Sequence, residues 1–436
     1  MNIKSIYIRN FKAFEKRQFT FDPNFNVAIG NNASGKSTLL HAVEVALGGY
    51  LQCLDIPGIP SNRRQFKKTE VFSKWNDENK SYITNSSPTM ISVQVAFPAV
   101  QKDIQWTRVM LKNNTTSHNH KEVGELMEVV SNLIEMKQGS PKVIPIVASF
   151  GTTRKDAQLR KGKKAHSRRS AREKAFLAAL TDKMDFNGVI EWLHNYDSDY
   201  KYGKVFAGTK EAIFETIERA IPFLKNVSYN SYYQELEAEI AIDQNEIGKT
   251  LHSNMSDGLK AMLNMVAELA FRCVILNGFL KNDAVMQTPG VVLIDELDMH
   301  LHPSWQKRVV EDLKNAFPKI QFIVSTHSPF IIQSLKRNEL IILEDNLAVG
   351  TDPFRRSIEE IAENEMGLDE VARSGHFKKM EELATEYYKL IKQGKNSTND
   401  QEVNSIRNQL NEMEDRFSED PAFVALLKSE RNASQL

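Results

Sequence analysis

The alternation of hydrophobic and polar residues predicts strands at the start of the chain. The stretch IKSIYIRNFKAF (3–14) alternates polar and apolar side chains, and KRQFTFDP follows it. FNVAIG (25–30) is a short apolar run that ends at a glycine. Alternation is typical of a half-buried strand, and a continuous apolar run is typical of a fully buried one.

Helical spacing comes next and then gives way to further strands. STLLHAVEVAL (37–47) has the periodicity of a helix, and Gly48 and Gly49 predict its end. TMISVQVAF (89–97) and DIQWTRVML (103–111) predict a pair of strands, and KVIPIVASFGTTR (142–154) predicts another strand that runs into a glycine turn.

In the second half of the chain, helices alternate with short apolar strands. The spacing predicts amphipathic helices over about 171–195 and 210–221, a long helix over 258–278 and a helix over 303–317. GVVLIDE (290–296) and KIQFIVSTHS (319–328) predict buried strands. After about residue 353 the pattern is charged and helical. Strands that alternate with helices indicate an α/β fold.

The composition is typical of a globular protein and indicates no particular binding partner. The chain has 436 residues, 41% of them hydrophobic and 26% charged, which is typical of globular proteins of more than one lobe. Lys plus Arg equals Asp plus Glu at 56 each, so net charge indicates no partner. Only two cysteines are present, which fits a reducing cytosol rather than a disulfide framework. No apolar run approaches the length of a membrane span and no signal peptide is evident, so we expect a cytoplasmic protein without membrane contact.

The stretch GNNASGKST has the spacing of a phosphate-binding loop between a strand and a helix. Glycines allow the backbone to approach phosphate closely, and amides at a helix N-terminus point towards its negative charge. We expect Lys36 to reach the β- and γ-phosphates and the Ser37 hydroxyl to ligate Mg²⁺. The phosphate-binding residues predicted from this motif are Gly30, Asn32, Ala33, Ser34, Gly35, Lys36, Ser37 and Thr38.

A second candidate site lies in VVLIDELDMHLHPSWQ (291–306), where three acids and two histidines follow a buried-looking strand. These side chains could be the metal ligands of a hydrolase, or Asp295 and Glu296 could be the acidic pair of a nucleotide-hydrolysing site. The phosphate loop favours the second reading: Asp295 holds Mg²⁺, directly or through water, and Glu296 polarises the attacking water. His300 and His302 do not make the i, i+4 pair of a helical zinc motif, and Pro303 suits the first turn of the next helix.

His327 ends the strand QFIVSTHSP. Neighbouring parallel strands would present Lys36 and Glu296 at the same edge of a sheet, so a histidine there can hydrogen-bond the γ-phosphate and sense its loss. The predicted catalytic residues are Glu296 and His327, and the predicted metal ligands are Ser37 and Asp295.

With these motifs the chain resembles the ATP-binding-cassette ATPase heads of the SMC, RecF and overcoming-lysogenization-defect type, over about residues 1–345. RNFKAF is similar to their opening strand, which implies that Lys12 and Ala13 lie near the nucleotide. GNNASGKST resembles Walker A, VVLIDE resembles Walker B, and STHSP resembles the His-switch. LDMHLHP is similar to a D-loop, with Asp298, His300 and His302 as its candidate residues.

The same resemblance implies a dimer. NMSDGLKAML looks like the signature motif, in which Ser256, Asp257 and Gly258 contact the nucleotide held by a partner subunit, although the second glycine and the glutamine of the transporter form are absent. Without the resemblance, Ser256 or Asp257 could simply cap the helix. ASFGTTR occupies the place of the Q-loop, with Arg154 as its candidate residue.

Two departures from the family narrow the subgroup. Long coiled-coil arms have no room between Arg154 and Ser256, and the region after His327 shows no fused Toprim nuclease. What remains resembles the stand-alone ATPases of bacterial anti-phage modules, such as the Septu type that works with an HNH nuclease and is also found beside retrons.

A basic segment from Arg154 to Lys174 contains ten Lys or Arg and two acids. It could be a solvated loop, or it could contact the phosphates of DNA or RNA, although no aromatic residue is present for base stacking. The nucleic-acid candidates are Arg160, Lys161, Lys163, Lys164, Arg168, Arg169 and Arg172. In the C-terminal region, EELATEYY, NEMEDRF and EDPAFVALLKSE favour a partner-binding or oligomerising helical region.

The sequence therefore predicts a phosphate-loop α/β fold of the ABC-ATPase head type. We expect a mixed sheet with antiparallel N-terminal strands, a helical insertion and a helical C-terminal region. The predicted segments are 1–150 and 251–350 for the two ATPase lobes, 151–250 for the insertion and 351–436 for the C-terminal region. We expect an ATPase that dimerises head to head around Mg²⁺ and ATP, assembles further and regulates a separate nuclease. The alternatives are a DNA-repair ATPase that acts directly on DNA, and an ATP-sensing scaffold with little turnover.

Overall fold

The computed structural model describes most of the chain. The described residues are 1–54, 64–77, 80–84, 88–97, 101–110, 116–118, 120–134, 141–152, 175–242, 245–344, 352–367, 383, 385–387, 389–390 and 401–416. Residues 1–367 form one compact unit and residues 368–436 a second. All the predicted nucleotide-site residues belong to the first unit.

Two sheets organise the first unit. The antiparallel sheet has the order β2-β1-β6-β7-β8, and its strands are β1 (Asn2–Phe11), β2 (Phe14–Thr20), β6 (Thr89–Phe97), β7 (Lys102–Met110) and β8 (Thr116–His118). The parallel sheet has the order β15-β3-β14-β13-β9, and its strands are β3 (Phe25–Ile29), β9 (Ile146–Phe150), β13 (Gly290–Ile294), β14 (Ile320–Ser325) and β15 (Leu340–Ile342). The predicted mixed architecture is confirmed.

Two smaller β-elements accompany these sheets. Strands β10 (Leu224–Asn230), β11 (Glu235–Ile242) and β12 (Asn245–Leu251) form an antiparallel sheet, and β4 (Ser73–Asn76) pairs with β5 (Ser81–Thr84). The three-stranded sheet lies in the region predicted as a helical insertion, and the sequence analysis did not predict its strands.

The helices complete the described structure. They are α1 (Lys36–Cys53), α2 (His120–Ile134), α3 (Phe186–Lys201), α4 (Thr209–Ala220), α5 (Asp257–Asn277), α6 (Ala284–Gln287), α7 (Pro303–Gln306), α8 (Val309–Ala316), α9 (Pro329–Gln333), α10 (Ile358–Asn364) and α11 (Gln401–Arg416). Among the described residues, no helix is long and apolar enough to cross a bilayer. Cys53 and Cys273 are both buried free thiols.

The strand order brings the motifs together. Every residue of β3, β13 and β14 is buried, as expected for parallel strands that are covered on both faces. Because β14 lies between β3 and β13, the carboxyl ends of the three strands meet at one edge of the sheet. Ligands of open α/β sheets bind at such an edge. The phosphate loop, the acidic pair and His327 all follow these three strands directly.

Two predicted helix boundaries were wrong, and one predicted helix is interrupted. Helix α1 does not end at Gly48 but continues to Cys53. A β-carbon on Gly48 would lie 2.4 Å from an Arg108 guanidinium nitrogen and 2.5 Å from the Arg64 carbonyl oxygen. The glycine therefore allows a close approach inside the helix rather than ending it.

The other two differences lie further along the chain. The helix predicted over 171–195 begins at Phe186, because Asp185 accepts a hydrogen bond from the Gly188 amide and caps it. Residues 175–182 form turns and bends instead. The helix predicted over 303–317 is divided into α7 and α8 at Arg308, whose φ of −123° is not helical.

Candidate nucleotide site

The phosphate loop joins the buried strand β3 to helix α1. Gly35, with a φ of 105°, stands at the helix N-cap, and the Phe14 ring packs against it so closely that a β-carbon would lie 2.6 Å from the ring. The Lys36 ammonium folds back into the loop and donates to the carbonyl oxygens of Gly30 at 2.6 Å and Asn31 at 3.1 Å. The amides of the first helical turn have no partner within the helix. The loop thus combines amides and a cation in the arrangement that binds phosphate.

The acidic strand end meets this loop directly. Ser37 Oγ donates to Asp295 Oδ2 at 3.0 Å, although the two residues are 258 positions apart. Ser325, at the end of β14, donates its hydroxyl to the other oxygen of Asp295 and accepts the Glu296 amide at 2.8 Å. The two predicted metal ligands therefore lie side by side, and both offer oxygen, the ligand atom that Mg²⁺ prefers.

Glu296 occupies an uncommon backbone conformation. Its φ is 50°, in the left-handed region that a residue with a β-carbon rarely adopts. The hydrogen bond from its amide to Ser325 helps to hold that conformation. Strained backbone of this kind concentrates at functional sites, where the surrounding structure fixes one side chain.

The turn after β13 is hydrogen-bonded to the His-switch segment STHSP (325–329), which we also call the switch segment. One oxygen of Asp298 accepts the Thr326 hydroxyl at 2.5 Å and the His327 amide at 3.2 Å. The imidazole of His327 is exposed at the same edge of the sheet. Asp298 therefore fixes the backbone that carries His327.

The two histidines of the turn have separate environments. His302 Nδ1 accepts the Ser304 amide at 3.3 Å and so caps helix α7. His300 is exposed, with a φ of 65°. Among the described residues, no group of three or more His, Cys, Asp or Glu side chains is placed to hold a metal ion.

Burial and charge oppose each other at Lys36. Burial lowers the pKa of its ammonium, while the nearby carboxylates of Asp295, Glu296, Glu344 and Asp298 raise it. Glu344 also accepts the Asn31 amide at 2.5 Å, so a carboxylate borders the loop on the side of β15. Sequence reasoning did not identify Glu344, because it lies outside every motif.

Lys12 and Ala13 lie in the turn between β1 and β2. The Lys12 ammonium lies 2.7 Å from His41 Nδ1, on the helix that follows the phosphate loop, and 3.6 Å from Glu70. Burial lowers the pKa of both Lys12 and His41. Ala13 is exposed, and its neighbour Phe14 packs on Gly35. The turn therefore borders the phosphate loop.

The signature candidates stand at the start of helix α5, which we call the signature helix. Ser256 and Asp257 are exposed, and the Ser256 side chain makes no capping hydrogen bond. Gly258 packs against the turn that contains His300, since a β-carbon on it would lie 2.1 Å from the His300 carbonyl oxygen. The signature and the D-loop thus contact each other within one chain.

A buried network of hydrogen bonds and ion pairs connects helix α1 to neighbouring elements. Glu44 accepts the Ser149 hydroxyl at 2.8 Å and the Arg64 guanidinium at 3.1 Å, and Arg64 also pairs with Glu70. These charged residues carry no motif, so only their positions in the fold reveal them. The network joins the phosphate-loop helix to strand β9.

The Q-loop and nucleic-acid candidates lie outside the described residues. These are Arg154 and the basic residues Arg160, Lys161, Lys163, Lys164, Arg168, Arg169 and Arg172. The stretch EDPAFVALLKSE, predicted as a docking helix, also lies outside them.

Comparison with known proteins places this site in a family. The model of the RecF/RecN/SMC N terminal domain matches residues 2–347. The chain belongs to this family. Its match spans both sheets and every described motif of the nucleotide site, so the predicted resemblance is confirmed.

Two retron relatives of this RecF/RecN/SMC family chain have low sequence identity but align with most of its length. A retron Vc95 probable ATPase of Vibrio cholerae serotype O1 biovar El Tor is 24% identical, covering 90% of this chain and 84% of the relative. A retron Ec83 probable ATPase of Escherichia coli is also 24% identical, covering 79% and 72%. The Septu protein PtuA of Bacillus thuringiensis is 36% identical over 142 residues, which cover 28% of this chain and 34% of that protein.

Among solved structures, the SMC head domain from Thermotoga maritima is similar, with a TM-score of 0.42 and 14% identity over 77% of this chain and 92% of that one.

Proposed function

We propose that this chain binds Mg²⁺ and ATP at the edge of its parallel sheet and hydrolyses the nucleotide. The observation that carries the proposal is the 3.0 Å contact between Ser37 and Asp295, which joins the phosphate loop to the acidic strand end. The expected enzyme class, an ATPase, agrees with its family and with the two retron relatives, which are described as probable ATPases.

Each side chain then has a defined task. Amides of the loop and of the first turn of α1 hold the phosphates, and Lys36 exchanges its two loop carbonyls for phosphate oxygens. Ser37 and Asp295 would hold Mg²⁺, which neutralises charge on the phosphates when bound. Glu296 accepts the proton of the attacking water, and His327 hydrogen-bonds the γ-phosphate from the neighbouring strand.

ATP binding is tested by calorimetric titration of the purified protein with Mg²⁺ and ATP. Lys36→Ala should abolish binding, because the loop loses its cation, whereas Lys183→Ala should leave it unchanged, because Lys183 is an exposed lysine outside the loop. Unchanged nucleotide binding in Lys36→Ala would show the proposed site to be wrong.

Hydrolysis is tested separately with Glu296→Gln. The amide keeps the shape of the side chain but cannot accept the proton, so we expect turnover to fall by about 10²–10⁴-fold with ATP still bound. A wild type that binds ATP and turns over no faster than this variant would indicate an ATP-sensing scaffold instead.

The second part of the proposal concerns assembly and biological role. The exposed Ser256 and Asp257 fit a head-to-head dimer in which each signature faces the nucleotide of the partner subunit. The retron and Septu relatives support a role in anti-phage defence. In our proposal the ATPase regulates a separately encoded nuclease in that role.

The assembly is tested by sedimentation of Glu296→Gln with and without ATP. ATP should produce a dimer, and Asp257→Arg should prevent it, because a long cation is placed at the proposed interface. If the proposed role is right, protection of a bacterial host against phage should require both Lys36 and a separately encoded nuclease. Protection that survives Lys36→Ala would contradict the proposed role.

A further inference from the structure

The polar contacts around Gln306 assign a task to the last residue of the stretch 291–306, which has no predicted role in the sequence. Gln306 is half-buried in the last turn of helix α7. Its amide nitrogen donates to the carbonyl oxygen of Leu301 at 2.8 Å and lies 3.4 Å from that of Asp298. Its amide oxygen accepts the Ser328 hydroxyl at 2.5 Å. The amide nitrogen of this side chain therefore binds the D-loop, and its amide oxygen binds the switch segment.

The Asp298 carboxylate makes a second connection between the same two segments. It accepts the Thr326 hydroxyl and the His327 amide, and Thr326 in turn accepts the Ser328 amide at 3.0 Å. Hydrogen bonds from Thr326, which precedes His327, and from Ser328, which follows it, thus connect the switch segment to the D-loop and to Gln306. A displacement of the His327 backbone would therefore disturb its hydrogen bonds to the D-loop.

The D-loop also contacts the signature helix. Gly258 lies against the carbonyl oxygen of His300 with no room for a β-carbon. His300 lies between Asp298 and Leu301, which Gln306 and the switch segment hold. A continuous set of contacts therefore runs from the His-switch to the signature within one chain.

We infer that Gln306 is a positioning residue that couples the γ-phosphate contact of one subunit to the signature that it presents to its partner. The inference rests on the proposed ATP-driven dimer. When His327 engages a phosphate, the D-loop and the signature glycine shift together, so that one occupied site favours closure of the other. Coupling of this kind changes the dependence of turnover on ATP concentration rather than the chemistry at one site.

The test compares Gln306→Leu with Gln333→Leu. Both glutamines are half-buried, and each donates to a backbone carbonyl at 2.8 Å, Gln333 to Arg356. Leucine keeps the approximate volume of the side chain and removes the side-chain hydrogen bonds described for either glutamine. Turnover is measured against ATP concentration, and nucleotide affinity is measured by titration at a protein concentration where the chain is monomeric.

We expect the wild type and Gln333→Leu to show a sigmoidal dependence on ATP. Gln306→Leu should be hyperbolic, with monomer affinity within about twofold of wild type and a loss of coupling of roughly fivefold or more. Gln306→Glu should behave like the leucine variant, because a carboxylate still accepts the Ser328 hydroxyl but cannot donate to Leu301.

Three outcomes would overturn the inference. They are a sigmoidal Gln306→Leu variant, a Gln306→Glu variant that matches wild type, and an active wild type with a hyperbolic dependence on ATP. The last outcome would leave the proposed ATPase intact. A wild type that neither binds nor hydrolyses ATP would refute the proposed function itself, so the two failures are distinguishable.

Discussion

Single side chains at the nucleotide site act mainly by fixing backbone. Asp298 is the clearest example, because one of its oxygens accepts two donors of the segment that carries His327. Ser325 fixes the backbone of Glu296 in the same way, and its hydroxyl also orients the Asp295 carboxylate. The residues that perform the proposed chemistry are therefore held in position by neighbouring side chains such as Asp298 and Ser325.

Substitutions at Asp298 should separate its geometry from its charge. Asp298→Ala leaves the Thr326 hydroxyl and the His327 amide without their acceptor, and we expect turnover to fall by about 10–100-fold, equivalent to the loss of one to two positioned hydrogen bonds. Asp298→Asn keeps an acceptor oxygen and should retain most activity. Steady-state hydrolysis by the two purified variants measures the difference. Equal losses in both would indicate that the negative charge matters, and the hydrogen-bond explanation would then be wrong.

At the scale of elements, helix α1 shows how packing overrides local preference. Its two consecutive glycines predict an end, yet the helix continues because β7 lies against this point. The Arg108 guanidinium donates to the carbonyl oxygens of Val45 and Arg64, both at 2.6 Å, and the Trp106 indole donates to Ala46 at 2.9 Å. The glycines make room for these two large buried side chains.

The opposite effects of two glycine substitutions test this explanation. Gly48→Ala should destabilise the protein by about 1–3 kcal/mol, because the new methyl group overlaps Arg108 and Arg64. Gly124→Ala, in helix α2, has no atom within 4 Å of the new β-carbon and should stabilise by roughly 0.5–1 kcal/mol through helix propensity. Urea unfolding of both variants gives the two free energies. A stabilised Gly48→Ala would contradict the packing explanation.

The same helix shows which parts of the fold could be predicted from the sequence. Apolar runs located β3, β13 and β14, because fully buried parallel strands have no polar face. The contact between Ser37 and Asp295 could be expected from the motifs, since the phosphate loop and the acidic pair follow two strands, β3 and β13, of one parallel sheet. Glycine can end a helix or admit a neighbour, and the pattern around Gly48 does not distinguish the two.

Other features needed the fold itself. The strands of the insertion carried a signal in ELEAEIAI (235–242), whose alternation matches β11. The hydrogen bonds of Gln306 and Glu44 had no comparable signal. Such contacts depend on distances between segments that are far apart in the chain, and they leave no periodicity in either segment.

Across the whole first unit, the signature helix is attached to the parallel sheet through residues 175–185. Arg272 pairs with Glu268 inside the protein and donates to the carbonyl oxygens of Ala175 at 2.7 Å and Leu177 at 2.9 Å. Glu268 also accepts the Asp185 amide at 2.7 Å. The same segment reaches β9, where the Ser149 amide donates to Ala179.

Arg272→Leu should therefore weaken the unit far more than a matched exposed change. It leaves the Glu268 carboxylate buried without its cation, which typically costs about 3–5 kcal/mol. Arg308→Leu removes an ion pair of the same i, i+4 spacing from a surface where the arginine is 53% exposed, and it should cost at most about 1 kcal/mol.

Tryptophan fluorescence during urea unfolding reports on residues 1–367, since all four tryptophans lie there. Equal losses of stability in Arg272→Leu and Arg308→Leu would show that the buried pair does not attach this segment.

The contact between Gly258 and His300 has a consequence for protein engineering. The start of the signature helix and the turn that contains His300 touch with no space for a methyl group, so neither should be exchanged alone for the matching segment of a relative. A chimaera that receives only the signature of a retron ATPase, or only its D-loop, would combine surfaces that were shaped for different neighbours. Residues 256–258 and 298–303 form a single cassette for transplantation, and any library that varies one of them has to vary the other with it.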